Sequence, residues 1–174
     1  MGATILQKLR ADHRSVLRDL DLVDQALRLR RPQAAAAALT ALGRVLDRLA
    51  RQFDTHMAAE DERLFPAFAA VLPEASPGLE TLRTEHAELR ELLARITAIL
   101  ELPPDSRRDE AIRVHWSDFS ELLRIHIRKE ESVVFHVAER VVPEKEWRRI
   151  AARRFPGTTL RTRGSRDLRK EPRP

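Results

Sequence analysis

The chain has 174 residues, 43% hydrophobic and 34% charged, with 32 basic against 27 acidic side chains and a formal net charge of +5. That length suits one domain able to bury about 70% of its unfolded surface unaided, and no stretch approaches 18 consecutive apolar residues, so no membrane span is expected. Cysteine and tyrosine are both absent, which excludes disulfides, thiolate metal sites, iron–sulphur ligation and a tyrosyl radical.

The N-terminal segment carries Lys8 and Arg10 and lacks the apolar core of a signal peptide. Leu6 stands where a myristoylated Met-Gly start needs Ser or Thr, and a cytoplasmic protein is expected. Glycine is scarce, alanine, leucine, arginine and glutamate abound, and no segment alternates with a two-residue period, so every element reads as helix. The first apolar stripe runs Leu6, Leu9, His13, Val16, Leu20, Val23, Leu27 in steps of three and four, which places His13 among core positions. Arg30-Arg31-Pro32 ends that helix, because the residue before proline avoids the helical region.

A second stripe, Leu39, Leu42, Leu46, Leu49, Phe53, His56, Glu60, Leu64, Ala67, carries a histidine and a glutamate on its apolar face. Pro66 is expected to bend or shorten this helix, and Pro73 to Gly78 to break it. The third stripe is Leu79, Leu82, His86, Leu89, Leu93, Ile96, Leu100, ended by Pro103-Pro104. Asp105 or Ser106 can cap a fourth helix with the stripe Ile112, Trp116, Phe119, Leu123, His126, Glu130, Val133, Val137. Pro143 opens a short fifth helix, Glu144 to Arg154, whose Trp147 and Ile150 can dock on the others. Residues 1–154 are thus expected to form the folded domain, and 155–174 a basic tail of disordered composition. No aromatic residue is interleaved with the tail's arginines for base stacking. Elsewhere the positive charge is dispersed among acids, which fits a solvated surface better than a nucleic-acid module.

Two stretches carry chemistry: His56-Met-Ala-Ala-Glu60-Asp61 and His126-Ile-Arg-Lys-Glu130-Glu131. Four residues along a helix turn the chain by about 400°, so histidine and glutamate share a face roughly 6 Å apart along the axis. Imidazole nitrogen beside carboxylate oxygen is a ligand pair for iron or zinc. The two stretches also repeat at an offset of 70 residues, with Phe65/Phe135, Val71/Val141, Pro73/Pro143 and Glu74/Glu144 in register. Asp12-His13 and Glu85-His86 match more loosely. Each half of the chain is one helical hairpin with a lone histidine and a histidine–glutamate pair.

In an antiparallel hairpin, residues at equal height have numbers averaging to the turn between them. His13 and the centre of the 56/60 pair average to about 35.5, that pair and His86 to 72, and His86 and the 126/130 pair to 107. Pro32, Pro73 and Pro103-Pro104 stand near those points. An all-α, antiparallel up-down-up-down four-helix bundle with a short C-terminal fifth helix is therefore expected, with His13, His56, Glu60, His86, His126 and Glu130 at one level. A lone histidine on an apolar stripe is most often a hydrogen-bonded core residue. A buried glutamate is harder to place without a cation, and no lysine or arginine shares these inner positions, so a metal is the expected partner. His115, eleven residues before His126, lies roughly 16 Å along the axis and His136 points off the stripe, so neither is expected to ligate. Asp12, Asp61, Glu85 and Glu131 adjoin the candidates, as supports for their imidazoles or as exposed acids.

The order lone histidine, His-x-x-x-Glu, lone histidine, His-x-x-x-Glu resembles the hemerythrin-like (HHE cation-binding) family, and His56-Met-Ala-Ala-Glu60-Asp-Glu-Arg-Leu-Phe65-Pro66 is similar to that family's second-helix motif. The likeness covers about residues 3 to 154. It implies two non-haem irons bridged by Glu60, Glu130 and an oxo or hydroxo group, with His13, His56, His86 and His126 as terminal ligands. Zinc or manganese would accept similar donors. The implied partner is a small molecule such as oxygen, nitric oxide or peroxide, bound for sensing, storage or iron and redox homeostasis. Oxygen carriers of the family have a second histidine where this chain has Arg90, and an aspartate one residue further along than Glu130. Fewer nitrogen donors make a more open site, favouring sensing or redox turnover over oxygen carriage. A di-iron enzyme that decomposes peroxide or acts as an oxidase is the alternative, with a basic nucleic-acid module holding a structural metal as the third. Oligomeric state is left open.

Overall fold

The computed structural model describes residues 2–28 and 32–152. Among them every regular element is helical and no strand occurs. Helix α1 (Gly2–Arg28) is followed by α2 (Pro32–Ala59), which passes through a π-helical turn (Glu60–Leu64) into α3 (Phe65–Val71). A short 3-10 turn (Pro73–Ala75) leads to α4 (Ser76–Leu100) and then α5 (Ser106–Lys129). A second π turn (Glu130–Phe135) joins α5 to α6 (His136–Val141), and α7 (Glu144–Ala152) closes the described chain. The basic tail expected from residue 155 lies outside the described residues, as does the dipeptide Arg30-Arg31. No helix among the described residues is long and apolar enough to cross a membrane.

The boundaries follow local chemistry. Asp105, in extended backbone, caps α5 by accepting a hydrogen bond from the Arg108 amide at 2.6 Å. Leu72 leaves the helical region at φ −133°, ψ 79°, just ahead of Pro73. The break is shorter than Pro73 to Gly78 suggested, because Pro77 sits in the first turn of α4, where no N–H is needed.

Long helices touch in the pairs α1–α2, α2–α4, α4–α5 and α1–α5, and α7 packs on α1. Their apolar faces form two clusters. One contains Val16, Leu20, Leu49, Phe53, Leu89, Trp116 and Phe119. The other gathers Leu6, Leu9, Phe65, Leu82 and Phe135, with Trp147 and Ile150 of α7. Each fully buried Leu or Phe contributes roughly 1.5–3 kcal/mol. On α1, α2, α4 and α5 the candidate histidines, and at the start of the two π turns the candidate glutamates, fall where the sequence passes from one cluster to the other. Ion pairs add register: Arg124 of α5 reaches Asp21 at 2.8 Å and Asp24 at 3.0 Å on α1, and the Trp116 indole donates to Asp24 at 2.7 Å.

Two expectations are corrected by the π turns. Pro66 does not finish the second helix; it falls at the second residue of α3, directly after the wide turn. In a π turn the Asp61 carbonyl would pair with the amide of residue 66, which proline lacks. Arg83 of α4 donates to that carbonyl instead, at 2.9 Å. The second π turn is followed by His136 rather than proline, so proline is not what widens the helix. Each wide turn also inserts one residue into the apolar rhythm, rotating the residues downstream of it by about 100°. The stripe expected through Val133 and Val137 therefore runs instead through Val134 and Ala138, which are buried, while Val133 is 58% exposed.

Candidate metal centre

His13 lies mid-way along α1 and His86 mid-way along α4, while His56 and His126 lie one turn before the glutamates that open the two π turns. The structure brings all six candidate residues together, five of them buried and His56 partly so. Both glutamates have no exposed surface.

The donors face inward as two nitrogen pairs. Nε2 of His13 lies 3.0 Å from Nε2 of His56, and Nε2 of His86 lies 3.0 Å from Nε2 of His126. Each carboxylate spans both pairs. Glu60 places Oε1 3.3 Å from His56 Nε2 and Oε2 3.5 Å from His86 Nε2. Glu130 places Oε2 3.2 Å from His13 Nε2, and Oε1 3.2 Å from His126 Nε2 and 3.6 Å from His86 Nε2. Two groups of donors result, His13–His56–Glu60–Glu130 and His86–His126–Glu130, each with its atoms within 4.8 Å of one another.

All four histidines are oriented from behind by acids. Nδ1 of His13 meets Glu131 at 3.0 Å, that of His56 meets Asp12 at 3.4 Å, that of His86 meets Asp61 at 3.0 Å, and that of His126 meets Glu85 at 2.9 Å. Each acid sits beside one candidate residue in sequence and supports a histidine on a neighbouring helix. Donation from Nδ1–H to a carboxylate leaves Nε2 as the inward-facing nitrogen, the usual outer support of a metal-binding imidazole. Glu85 is itself held by Lys129. Phe135 stacks on His13 with centroids 5.5 Å apart, and Phe65 on His86 at 5.9 Å.

The charges are strongly coupled. Burial disfavours the cationic form of His56, but Glu60, Asp12 and Glu130 outweigh it and raise its pKa to about 10. Burial likewise opposes His86, yet Asp61, Glu130 and Glu60 push it up to about 11. His126 is raised by Glu130 and Glu85 against burial and against His86. Burial works against the Glu130 carboxylate, but His126, His13 and His86 hold it well below its ordinary range.

Protons alone do not satisfy this cluster. A separation of 3.0 Å leaves room for one hydrogen between facing nitrogens. All four carboxylate oxygens of Glu60 and Glu130 are buried without a hydrogen-bond partner, the nearby Nε2–H directions missing them. A buried carboxylate with bare lone pairs is among the most costly groups in a protein interior. Imidazole and carboxylate lone pairs converging on a dry interior fit a divalent or trivalent transition metal, and the residues present fit such an ion.

His115 is half-buried and His136 exposed, and neither joins a group of facing donors. Arg90, where oxygen carriers have a histidine, is exposed and lies 4.0 Å from Asp61. One residue beside the cluster, Gln52, is not among those the sequence singles out. It lies one turn before His56, on the face that leads to the cluster, and that spacing is the only signal that points to it.

A family model for the hemerythrin HHE cation-binding domain matches residues 4–138, a span that includes all six inward-facing residues. Among curated proteins none matches the chain significantly. With most of its length covered by that match, the chain belongs to the hemerythrin HHE cation-binding family.

Proposed function

We propose that this protein holds two iron ions between the nitrogen pairs His13/His56 and His86/His126, with Glu60 and Glu130 shared by both, and uses them to bind a small molecule such as oxygen, nitric oxide or peroxide. The carrying observation is the set of four buried carboxylate oxygens, each without a hydrogen-bond partner and each facing one or more imidazole nitrogens. One oxygen of each carboxylate faces each nitrogen pair, the disposition that lets a carboxylate serve two cations at once. Iron when bound would supply redox and small-molecule binding chemistry that the side chains lack. The chain's own contribution is to orient four imidazoles through Asp12, Asp61, Glu85 and Glu131 and to keep the cluster dry.

The same reading takes the helices as an up-down-up-down bundle. The contacts α1–α2, α2–α4, α4–α5 and α1–α5 support that order, as does the common level of the six side chains.

The test is iron content and visible absorption of freshly purified protein beside a Glu60→Ala/Glu130→Ala variant. About two irons per chain, with an absorption band that the variant loses, is the expected result. Protein that takes up no iron, or whose iron is unchanged in the variant, would overturn the reading. Sustained consumption of peroxide by the iron-loaded protein would place it among enzymes instead of binders.

A further inference from the structure

Each lone histidine has an arginine about one turn before it on the same helix: Arg10 precedes His13 on α1, and Arg83 precedes His86 on α4. Both arginines are half-buried, and both reach a neighbouring helix at or just beyond its π turn. Arg83 donates to the Asp61 carbonyl at 2.9 Å and to Glu80 of its own helix at 3.0 Å. Its buried Nε lies 3.8 Å from the Asp61 carboxylate, within ion-pair range but beyond a hydrogen bond. Arg10 donates to Glu139 at 2.6 Å, and its guanidinium carbon lies 5.8 Å from the centroid of the Phe135 ring, a cation–π distance.

What each arginine touches bears on the histidine three residues along. Asp61 is the acid behind His86, and Phe65, four residues beyond Asp61, is stacked on the same ring. Glu131 is the acid behind His13, and Phe135, four residues beyond Glu131, is stacked on that ring. Acid and phenylalanine thus come from one π-turned segment, the histidine comes from the facing helix, and the arginine joins the two. The clamp recurs although its landing point does not. With Asp12-His13 aligned on Glu85-His86, Leu6, Leu9 and Arg10 fall on Leu79, Leu82 and Arg83. Arg10 meets a side chain and Arg83 a main-chain carbonyl, so what repeats is the guanidinium and the segment it holds. His56 and His126 each lie one turn before a glutamate donor in a continuous helical run, whereas His13 and His86 are the single donors of their helices.

We infer that Arg10 and Arg83 are positioning residues of the metal centre, Arg10 fixing His13 and Arg83 fixing His86 by clamping the π-turned segment that supports each ring. Because His13 pairs with His56 and His86 with His126, each arginine serves one of the two metal positions. The inference rests on the reading of the cluster as a two-iron centre. Neither arginine is among the six inward-facing donors, so its replacement removes no ligand.

The experiment loads the full chain with ferrous iron anaerobically and follows extraction by excess chelator. Wild type is compared with Arg10→Met and Arg83→Met, which keep much of the apolar stem without the charge. Metal-free unfolding midpoints in urea are expected to stay close to wild type, as for partly exposed ion pairs, and all three proteins to take up two irons. In each variant one iron is expected to leave about tenfold faster while the other keeps its wild-type rate. One of the two iron signals in the Mössbauer spectrum is expected to change with it. The accelerations caused by Arg83→Met and Asp61→Asn should be less than multiplicative, and those caused by Arg83→Met and Glu131→Gln should fall on different irons. Wild-type protein that takes up no iron would overturn the two-iron reading and the clamps with it. Two irons in every protein, released at unchanged rates with an unchanged spectrum, would overturn the clamps alone, as would equal acceleration of both irons or a large loss of metal-free stability.

Discussion

The two halves of the molecule answer the same problem with different degrees of freedom. His56 and His126, Glu60 and Glu130, and Asp61 and Glu131 occupy equivalent places at an offset of 70 residues, and each glutamate opens a π turn. Phe65 and Phe135 are equivalent too, each with no exposed surface and each stacked on a histidine of the other half: Phe65 on His86 and Phe135 on His13. Away from these positions the halves part. Val16 corresponds to Leu89, Gln52 to Leu122, and Arg63, only 7% exposed, to Val133, which is 58% exposed. Repetition is held where buried charge must be balanced and imidazoles must be aimed, because an error there costs several kcal/mol. Difference appears where a side chain only fills space or covers a surface. Equal donors with unequal lining means that two similar metal positions can have unequal access.

The largest effect should come from the stacked phenylalanines. Phe65→Ala and Phe135→Ala each remove a fully buried ring, and each is expected to destabilise the metal-free protein by about 3–5 kcal/mol in urea unfolding. The equivalence requires the two losses to agree within about 1 kcal/mol. A loss at one site more than twice that at the other would show that the halves carry stability unequally.

Next come the supporting acids. Asp61→Asn loosens His86, and Glu131→Gln loosens His13, in both cases leaving the six inward donors in place. Each is expected to weaken iron binding about 10–100-fold, read by competition with a chelator. Asp61 also has Arg83 at 3.8 Å and Arg90 at 4.0 Å, whereas Glu131 is 38% exposed. Unchanged affinity in Glu131→Gln alone would mean that only the more enclosed acid orients its imidazole.

Most of what the halves share is legible in the sequence, because it is written in spacing. A histidine four residues before a glutamate needs only the helical period to put both on one face, and the prolines near 32, 73 and 103 are enough to set His13, His56, His86 and His126 at one level. The acids flanking the donors are visible as residues, but their targets are not. Asp12 adjoins His13 and supports His56, and Glu85 adjoins His86 and supports His126, pairings that depend on how neighbouring helices are rotated. The π turns are illegible for a related reason. An apolar stripe drawn with a constant 3.6-residue period has no place for an inserted residue, so it runs on through Val133 when the helix has already turned to Val134. Gln52 stands in plain view one turn before His56, but a polar residue at a stripe's edge looks like any solvated side chain, and its buried, unpartnered Oε1 shows only in the fold.

Val16→Leu tests unequal access directly. It copies Leu89 into the first hairpin and adds one methylene beside a cavity of about 20 Å3, so stability is expected to change by less than about 1.5 kcal/mol. Iron content should be unchanged, while nitric oxide binding to the ferrous protein should fall. Binding that is unaffected would mean that the small molecule approaches from another side, and the contrast between Val16 and Leu89 would lose its meaning.

The smallest effect is expected at Val133. Its counterpart Arg63 borders a small cavity with Arg149 and Ile150 of α7, which accounts for a guanidinium being so well covered there. At position 133 the side chain is 58% exposed, so an arginine needs no cover and a valine gains little. Val133→Arg, which makes the halves more alike in sequence, is therefore expected to shift unfolding free energy by no more than about 0.5 kcal/mol. Were the stripe to continue with an uninterrupted helical period, the same change would bury a charge in the core and cost several kcal/mol. The measured value thus reads out the phase of the helix after Glu130, independently of any metal.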